Sequence, residues 1–171
     1  MIHIYTGDGK GKTSAALGLA LRFSGYGNNV IIVQFGKGSY TGELFSLSKI
    51  PNIKVLRNSR DFGFWKFMSD EDNRDMIIEN NDNLVAAIAE VKNGNSSMIV
   101  LDELTSAYEN GAVDRSIVDS LLSNKELHAE IVITGRNPDK HLSDVADYIS
   151  EIENVRHPFD HGENAREGIE F

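Results

Sequence analysis

The sequence predicts an α/β fold in which an open, mainly parallel β-sheet is covered by helices on both faces. Three observations support this prediction. A short apolar run at 2–5 precedes a glycine-rich loop and then a helix-like segment at 14–21. Continuous apolar runs at 30–35, 97–101 and 130–134 are typical of parallel strands that are buried on both faces. Segments with helical spacing separate these runs, so we expect right-handed crossovers between the strands.

The other elements follow in chain order. Helices are expected at 13–24, 43–49, from Ser69 to Val91, at 113–122, and after Pro138, which should lie in the first turn of its helix. Further strands are expected at 53–56 and 147–153. Residues 25–27, Gly-Tyr-Gly, should end the first helix with a glycine in a left-handed conformation, and Ser69 with Asp72 should cap the long helix. Residues 155–171 have no clear period.

Length, charge and composition limit the classes of protein. The chain has 171 residues, enough for one domain with a hydrophobic core, and we expect 1–171 to form a single domain. A net charge of −9 argues against nucleic acid as the main partner. The absence of cysteine excludes disulfides, thiolate zinc sites and cysteine nucleophiles. No segment is as long as a membrane span and no signal peptide is visible, so we expect a cytoplasmic protein with no membrane partner.

Residues 6–13, TGDGKGKT, are the strongest functional signal in the chain. A glycine-rich loop between a strand and a helix can turn backbone N–H groups toward phosphate, and the helix N-terminus adds partial positive charge. The usual pattern has its first glycine where Thr6 stands, and Lys10 is an additional cation within the loop. A glycine-rich turn that binds nothing is the alternative. The predicted ATP-binding residues of this segment are Gly7, Asp8, Gly9, Lys10, Gly11, Lys12, Thr13 and Ser14.

Polar residues also follow three other predicted strands. In an open α/β sheet, ligands bind at the carboxyl ends of the strands. Lys37, in the glycine-rich segment 36–42, and Arg136 are therefore candidate phosphate contacts, although Lys37 could equally be a solvated lysine in a flexible loop. Asp102 and Glu103 end an apolar strand and could hold magnesium together with Thr13; an acidic helix cap is the alternative.

Aromatic residues are concentrated at 62–67 without a clear period. Such a group of aromatic side chains either packs into the core or forms a surface for a flat ligand. Composition and spacing alone favour the core.

Several motifs together resemble the ATP:corrinoid adenosyltransferases, the cob(I)alamin adenosyltransferases of cobalamin synthesis and salvage. The motifs are residues 6–13, VQFGKG at 33–38, VLDEL at 100–104, ITGR at 133–136, VRHPFD at 155–160 and GIEF at 168–171. The resemblance covers nearly the whole chain, and the tail makes it more specific than the phosphate loop alone.

The resemblance implies a RecA-like P-loop NTPase fold and a homodimer. It implies transfer of the 5′-deoxyadenosyl group of ATP to the cobalt of a reduced corrinoid, with release of triphosphate, and ATP bound in the reverse of the usual orientation. An electron-donating reductase or flavodoxin would be a partner. Lys12, Thr13 and Glu103 would be catalytic, with Mg²⁺ held by Thr13, Asp102 and Glu103.

The resemblance also bears on the aromatic segment and on the termini. An aromatic pair in relatives closes the lower face of the corrin ring, and Phe62, Phe64 and Trp65 match in type with a spacing that differs by one residue. An N-terminal segment that helps to cover the corrinoid in some relatives is expected to be lacking. His157 and His161 are expected to have packing or hydrogen-bonding roles, because a lower histidine ligand would oppose reduction of cobalt.

Two alternatives to adenosyl transfer remain. The first is an ordinary P-loop ATPase or small-molecule kinase, which would break the β–γ bond of ATP. The second is a corrinoid or nucleotide carrier without catalysis. The shifted glycine pattern and the tail count against the first, and the magnesium carboxylates count against the second.

Overall fold

The computed structural model describes residues 1–63 and 68–170, except for the side chain of Asp160. Six strands form one sheet in the order β3-β2-β4-β5-β1-β6, and every neighbouring pair is parallel. The strands are β1 Ile2–Thr6, β2 Val30–Gln34, β3 Ile53–Arg57, β4 Met98–Asp102, β5 Glu130–Thr134 and β6 Tyr148–Glu151. The helices are α1 Lys12–Ser24, α2 Gly42–Leu47, α3 Asp70–Lys92, α4 Leu104–Glu109, α5 Arg115–Leu122 and α6 Lys140–Asp144.

Both faces of the sheet are covered, as the apolar runs predict. Ile31 and Val33 of β2 pack into one core cluster with residues of α3, α4 and α5. Val30 and Ile32 point to the opposite face and pack with Ala16 and other residues of α1. Because side chains alternate along a strand, a strand buried on both faces must be apolar throughout. The fold class predicted from the sequence is therefore confirmed.

The ends of several elements differ from the predictions. The predicted left-handed glycine after α1 is Gly27, at φ 80°, whereas Gly25 is right-handed. Pro138 lies before α6 rather than in its first turn, because Asp139 is the residue that caps this helix. The predicted capping box is confirmed, since Ser69 Oγ accepts the backbone N–H of Asp72 at 3.0 Å.

The last strand and the tail complete the chain. Strand β6 is shorter than predicted and exposed along its length, because it forms the edge of the sheet next to β1. A short 3₁₀ helix, Pro158–His161, lies in the tail, where the sequence shows no period. Among the described residues, no helix is both long and apolar enough to cross a membrane.

Candidate active site

The phosphate-binding loop connects β1 to α1, as predicted, and is supported from outside by the residues that follow β6. The backbone N–H of Gly9 donates to the carbonyl oxygen of Ile152 at 2.7 Å. A Cβ atom on Gly7 would lie 2.4 Å from that oxygen, and one on Gly9 would lie 2.5 Å from the carbonyl oxygen of Glu153. Gly7 also has φ 102°. Glycine is therefore required at both positions by the close approach of backbone, and at Gly7 by conformation as well.

Lys12 is buried at the centre of the loop. Its Nζ donates to the carbonyl oxygens of Gly7 at 2.7 Å and Gly9 at 2.8 Å. Burial lowers the pKa of the Lys12 ammonium below its ordinary value of 10.5, and the nearby positive charge of Arg136 lowers it further. The loop thus holds a desolvated cation, whose attraction for an anion is stronger than in water.

Asp102, at the end of β4, is the best-connected carboxylate of the site and is only 1% exposed. Its Oδ1 accepts hydrogen bonds from the hydroxyls of Thr13 at 2.8 Å and Thr134 at 2.7 Å. Its Oδ2 lies 2.7 Å from the Nζ of Lys37 and 3.4 Å from the Nε2 of Gln34. A buried carboxylate needs such partners, because an uncompensated charge in the interior costs several kcal/mol.

Strand order explains why these partners meet. Gln34 is the register partner of Asp102 in the β2–β4 pair, and Thr134 ends β5 on the other side of β4. Thr13 comes from α1, which packs across β1, β4 and β5. Gln34 and Thr134 were not among the predicted site residues. The signal that could have indicated them is a polar residue that ends an otherwise apolar strand.

Glu103 occupies a strained turn directly after Asp102. Its φ is 63°, and in the described part of the chain only Asn137 shares a positive φ among residues other than glycine. The backbone N–H of Glu103 donates to Thr134 Oγ1 at 2.9 Å, and its carboxylate accepts from Ser106 Oγ at 3.2 Å. Left-handed backbone at a residue other than glycine costs about 1–3 kcal/mol and is concentrated at functional sites.

The donor set fits magnesium rather than a transition metal. Across the part of the chain that the structure describes, no three or more His, Cys, Asp or Glu side chains are grouped to hold a metal ion. Thr13 and Asp102 nevertheless bring a hydroxyl and a carboxylate together beside the phosphate loop. Mg²⁺ at phosphate sites is commonly held by one or two protein oxygens, with phosphates and water completing the octahedron.

Several contacts hold the backbone around Lys37. The guanidinium of Arg57 donates to the carbonyl oxygens of Lys37, at 3.2 Å, and Ser39. Gly38 packs so closely on Arg60 that a Cβ would lie 1.7 Å from its carbonyl oxygen. Gly36, at φ 63°, turns the chain after β2. These contacts fix the backbone from which Lys37 reaches Asp102.

Two cavities lie on either side of Lys37. One has a volume of about 520 Å³ and is called the tail cavity here; its walls include Thr13, Ser14, Lys37, Thr41, Glu43 and residues 168–170. The other has a volume of about 470 Å³ and is called the sheet-end cavity; its walls include Phe35, Lys37, Asp61, Met76, Glu103 and Ser106. Lys37 lines both cavities, so its ammonium can serve a ligand that extends from one to the other.

Arg136 faces the phosphate loop from the end of β5. Its Nε lies 3.8 Å from the carboxylate of Asp8, and both side chains are mostly exposed. Thr105 Oγ1 donates to the carbonyl oxygen of Arg136 at 2.7 Å, and Gly135 packs directly against Thr105. The predicted residues Asp8 and Arg136 are thus brought together at the rim of the loop.

The described part of the aromatic segment is Phe62. This residue is half-buried against the hydrophobic core, and the guanidinium of Arg60 lies over its ring, 4.4 Å from the centroid. Phe64 and Trp65, the other two predicted corrinoid contacts, lie outside the described residues. In the tail, His157 Nδ1 accepts the backbone N–H of Phe159 at 3.1 Å, a hydrogen-bonding role of the kind predicted.

Comparisons with known proteins agree with this geometry. A family model described as ATP:corrinoid adenosyltransferase BtuR/CobO/CobP matches residues 1–171. The corrinoid adenosyltransferase CobA of Salmonella typhimurium is 32% identical, and the match covers 100% of this chain and 85% of the relative. A corrinoid adenosyltransferase of Sinorhizobium sp. is also 32% identical, over 100% of this chain and 80% of the relative.

Among solved structures, a KaiC-like protein from Pyrococcus horikoshii OT3 has a similar fold. The TM-score is 0.53 at 16% sequence identity, with 89% of this chain and 71% of that chain covered. This likeness concerns the fold alone. The full-length family match and the similarity to curated relatives show that the chain belongs to the family of ATP:corrinoid adenosyltransferases.

Proposed function

We propose that this protein transfers the 5′-deoxyadenosyl group of ATP to the cobalt of a reduced corrinoid and releases triphosphate. The observation that carries the proposal is the convergence of Lys12, Thr13 and Asp102 at the phosphate loop, in a chain that belongs to the corrinoid adenosyltransferase family. The family supports ATP and a corrinoid as the two substrates.

The chemistry needs stabilisation of a leaving group more than it needs a base. The electron pair of Co(I) attacks C5′ of the ribose and forms the Co–C bond. The C5′–O5′ bond breaks, and its electron pair leaves on the oxygen of triphosphate. No proton is transferred at C5′, so the task of the protein is to bind the developing negative charge.

The cations of the site are placed for this task. Lys12 is held at the centre of the loop. Lys10 also belongs to the loop, and Lys37 lines the tail cavity. Their positive charges are local, since the chain as a whole carries −9. The loop N–H groups and the N-terminus of α1, at Thr13 and Ser14, add partial positive charge. We assign the predicted ATP contacts Gly7 to Ser14, Lys37 and Arg136 to this role.

We assign Mg²⁺ to Thr13, Asp102 and Glu103, the three ligands that the family resemblance implies. Magnesium bound there would neutralise charge on the phosphate oxygens. Asp102 keeps its carboxylate oriented through the hydroxyls of Thr13 and Thr134. Glu103 lines the sheet-end cavity, where its carboxylate can orient the substrate that enters there.

We place the corrinoid at the sheet-end cavity. This cavity is bordered by Phe35, Met76 and Gly63, and Gly63 directly precedes Phe64 and Trp65 in the sequence. Because Phe62 is packed on the core beneath Arg60, we assign closure of the corrin face chiefly to Phe64 and Trp65. Aromatic surface at cobalt would exclude a lower axial ligand and make the metal easier to reduce.

The remaining proposals concern assembly and location. We propose that residues 1–171 act as one domain and that the protein is a cytoplasmic homodimer that receives electrons from a reductase or flavodoxin. These proposals follow from the family resemblance. Light scattering of the purified protein tests the dimer, and reduction of cob(II)alamin by candidate flavoproteins in its presence tests the electron donor.

Product analysis tests the reaction. The protein is incubated anaerobically with ATP, magnesium and chemically reduced cobalamin, and the products are separated by chromatography and ³¹P NMR. Adenosylcobalamin with intact triphosphate is the expected result. ADP and phosphate without a Co–C bond would instead identify an ordinary ATPase or kinase, and bound ligands that remain unchanged would identify a carrier.

A further inference from the structure

The C-terminal segment reaches back to the phosphate loop. Glu170 Oε1 accepts a hydrogen bond from Lys10 Nζ at 2.9 Å, across 160 residues of sequence. The two side chains are 44% exposed for Lys10 and 21% exposed for Glu170. Residues 168–170 also line the tail cavity, together with Lys37 and the start of α1. A carboxylate thus lies on a loop cation that phosphate would otherwise contact.

The segment is organised around this carboxylate. Arg166 donates to Glu170 from its backbone N–H at 2.8 Å and from its guanidinium at 3.2 and 3.3 Å. The backbone N–H of Glu170 returns to the carbonyl oxygen of Arg166 at 2.9 Å, and Gly168 makes the turn between them at φ 73°. Glu170 is therefore presented to Lys10 by a closed local structure rather than by a free chain end.

The attachment of this segment to the rest of the protein is slight. Within the described residues, the bond from Lys10 to Glu170 is the hydrogen bond that connects residues 164–170 to the body of the chain. Residues 161–170 are exposed, and an exposed ion pair of this kind contributes little to stability. A stronger anion at Lys10 can therefore displace the segment at small cost.

We propose that Glu170 is a positioning residue that occupies Lys10 in place of a phosphate group, and that the polyphosphate of the nucleotide displaces residues 164–170 from the tail cavity. Glu170 holds Lys10 at the rim until polyphosphate arrives, and its return to Lys10 assists release of the polyphosphate product. The hydrogen bonds from Arg166 and Lys10 lower the pKa of Glu170 to about 2, so this competitor stays charged at neutral pH. This inference rests on one part of the proposed function, namely that the phosphate loop binds the polyphosphate of the nucleotide.

The first test measures the affinity of inorganic tripolyphosphate by calorimetry for the full chain and two variants. Glu170→Gln removes the competing charge and should tighten binding about two- to fivefold, which corresponds to the free energy of one exposed ion pair. Glu167→Gln is the matched control, because it removes the same charge from the same segment and Glu167 makes no side-chain hydrogen bond or ion pair within the described residues. It should bind tripolyphosphate as the unmodified chain does.

The second test follows the segment itself by hydrogen exchange with mass spectrometry. Tripolyphosphate should speed exchange of the C-terminal peptide in the unmodified chain, because the closed local structure around Glu170 loses its hydrogen bond to Lys10 when it is displaced. In Glu170→Gln, exchange should be fast with or without tripolyphosphate. A purely structural ion pair would show no response to the ligand.

The outcomes separate this inference from the proposed function. If tripolyphosphate binds all three proteins with equal affinity, the competition is refuted and the phosphate loop retains its role. Slower exchange with tripolyphosphate would mean that the segment closes over the ligand, which also refutes displacement. If the unmodified chain does not bind tripolyphosphate, both the inference and the role of the loop in the proposed function are wrong.

Discussion

Replacing Lys12 by alanine should greatly reduce the rate of adenosyl transfer while changing the unfolding free energy of the protein little. The side chain provides a buried positive charge at the centre of the phosphate loop, and among the described residues no second lysine donates to the same two carbonyls. Removal of one preorganised electrostatic contact typically lowers a rate by 10²–10³, or about 3–4 kcal/mol of transition-state stabilisation. We therefore expect Lys12→Ala to reduce kcat/KM for adenosyl transfer by at least about 10²-fold.

The effect on stability should be small because two terms oppose each other. The variant loses two hydrogen bonds, each worth about 0.5–1.5 kcal/mol net, and it relieves the desolvation of the ammonium. Burial of the ammonium lowers the pKa of Lys12, which is the direction that such desolvation produces. Between that pKa and 10.5 the unfolded chain binds more protons than the folded chain, so the stability of the unmodified protein rises with pH there. The variant should lack this rise.

The assay pairs anaerobic adenosylation kinetics with urea unfolding at neutral pH and at increasing pH up to 10.5. Lys125→Ala is the matched control, because Lys125 is exposed and precedes β5 at the opposite end of the sheet. This control should retain normal kinetics and stability. Turnover of Lys12→Ala near the normal rate would remove the loop from the mechanism. A loss of more than about 3 kcal/mol of unfolding free energy would instead make Lys12 a structural residue.

Three further predictions address the loop, the aromatic segment and the tail. Gly9→Ala should destabilise the protein by about 1–3 kcal/mol in urea unfolding and weaken ATP binding, since its Cβ would overlap backbone atoms. The control is Gly18→Ala in α1, whose Cβ would meet nothing within 4 Å and which should stabilise the protein by about 0.5–1 kcal/mol. Trp65→Ala should impair reduction of bound cob(II)alamin more than ATP binding; a fall in ATP affinity would contradict the assignment of this segment. NMR titration of Glu170 should give a pKa of about 2. The hydrogen bonds of Glu170 would then contribute stability above pH 4.5, and this stability would be lost as the pH falls toward 2. A pKa near 4.5 would show that these contacts are absent in solution.

Much of the fold could be predicted because its signals are local. A strand buried on both faces must be apolar throughout, and β2 and β4 carry that pattern. A glycine-rich loop that lies between a strand and a helix and ends in Lys12 and Thr13 indicates a phosphate site, although its glycine spacing is shifted from the usual pattern. The weaker predictions were element ends, such as Pro138, where the capping side chain of Asp139 decided the boundary.

The residues that complete the site could not be predicted in the same way. Asp102 could be proposed from its place at a strand end, but its bonds to Thr13, Lys37 and Thr134 depend on the strand order of the sheet. Gln34 reads as part of an apolar strand, and only pairing of β2 with β4 places it beside Asp102.

The sequence by itself determined the alternation of strands and helices and the chemistry available at the phosphate loop, because periodicity and residue type are properties of neighbours in the chain. Only the tertiary structure decided why Gly7 and Gly9 must be glycines, since the backbone that excludes a side chain there comes from Ile152 and Glu153. It also decided that Glu170 meets Lys10. Contacts between residues about 145 to 160 positions apart depend on the path of the whole chain, which no local pattern encodes.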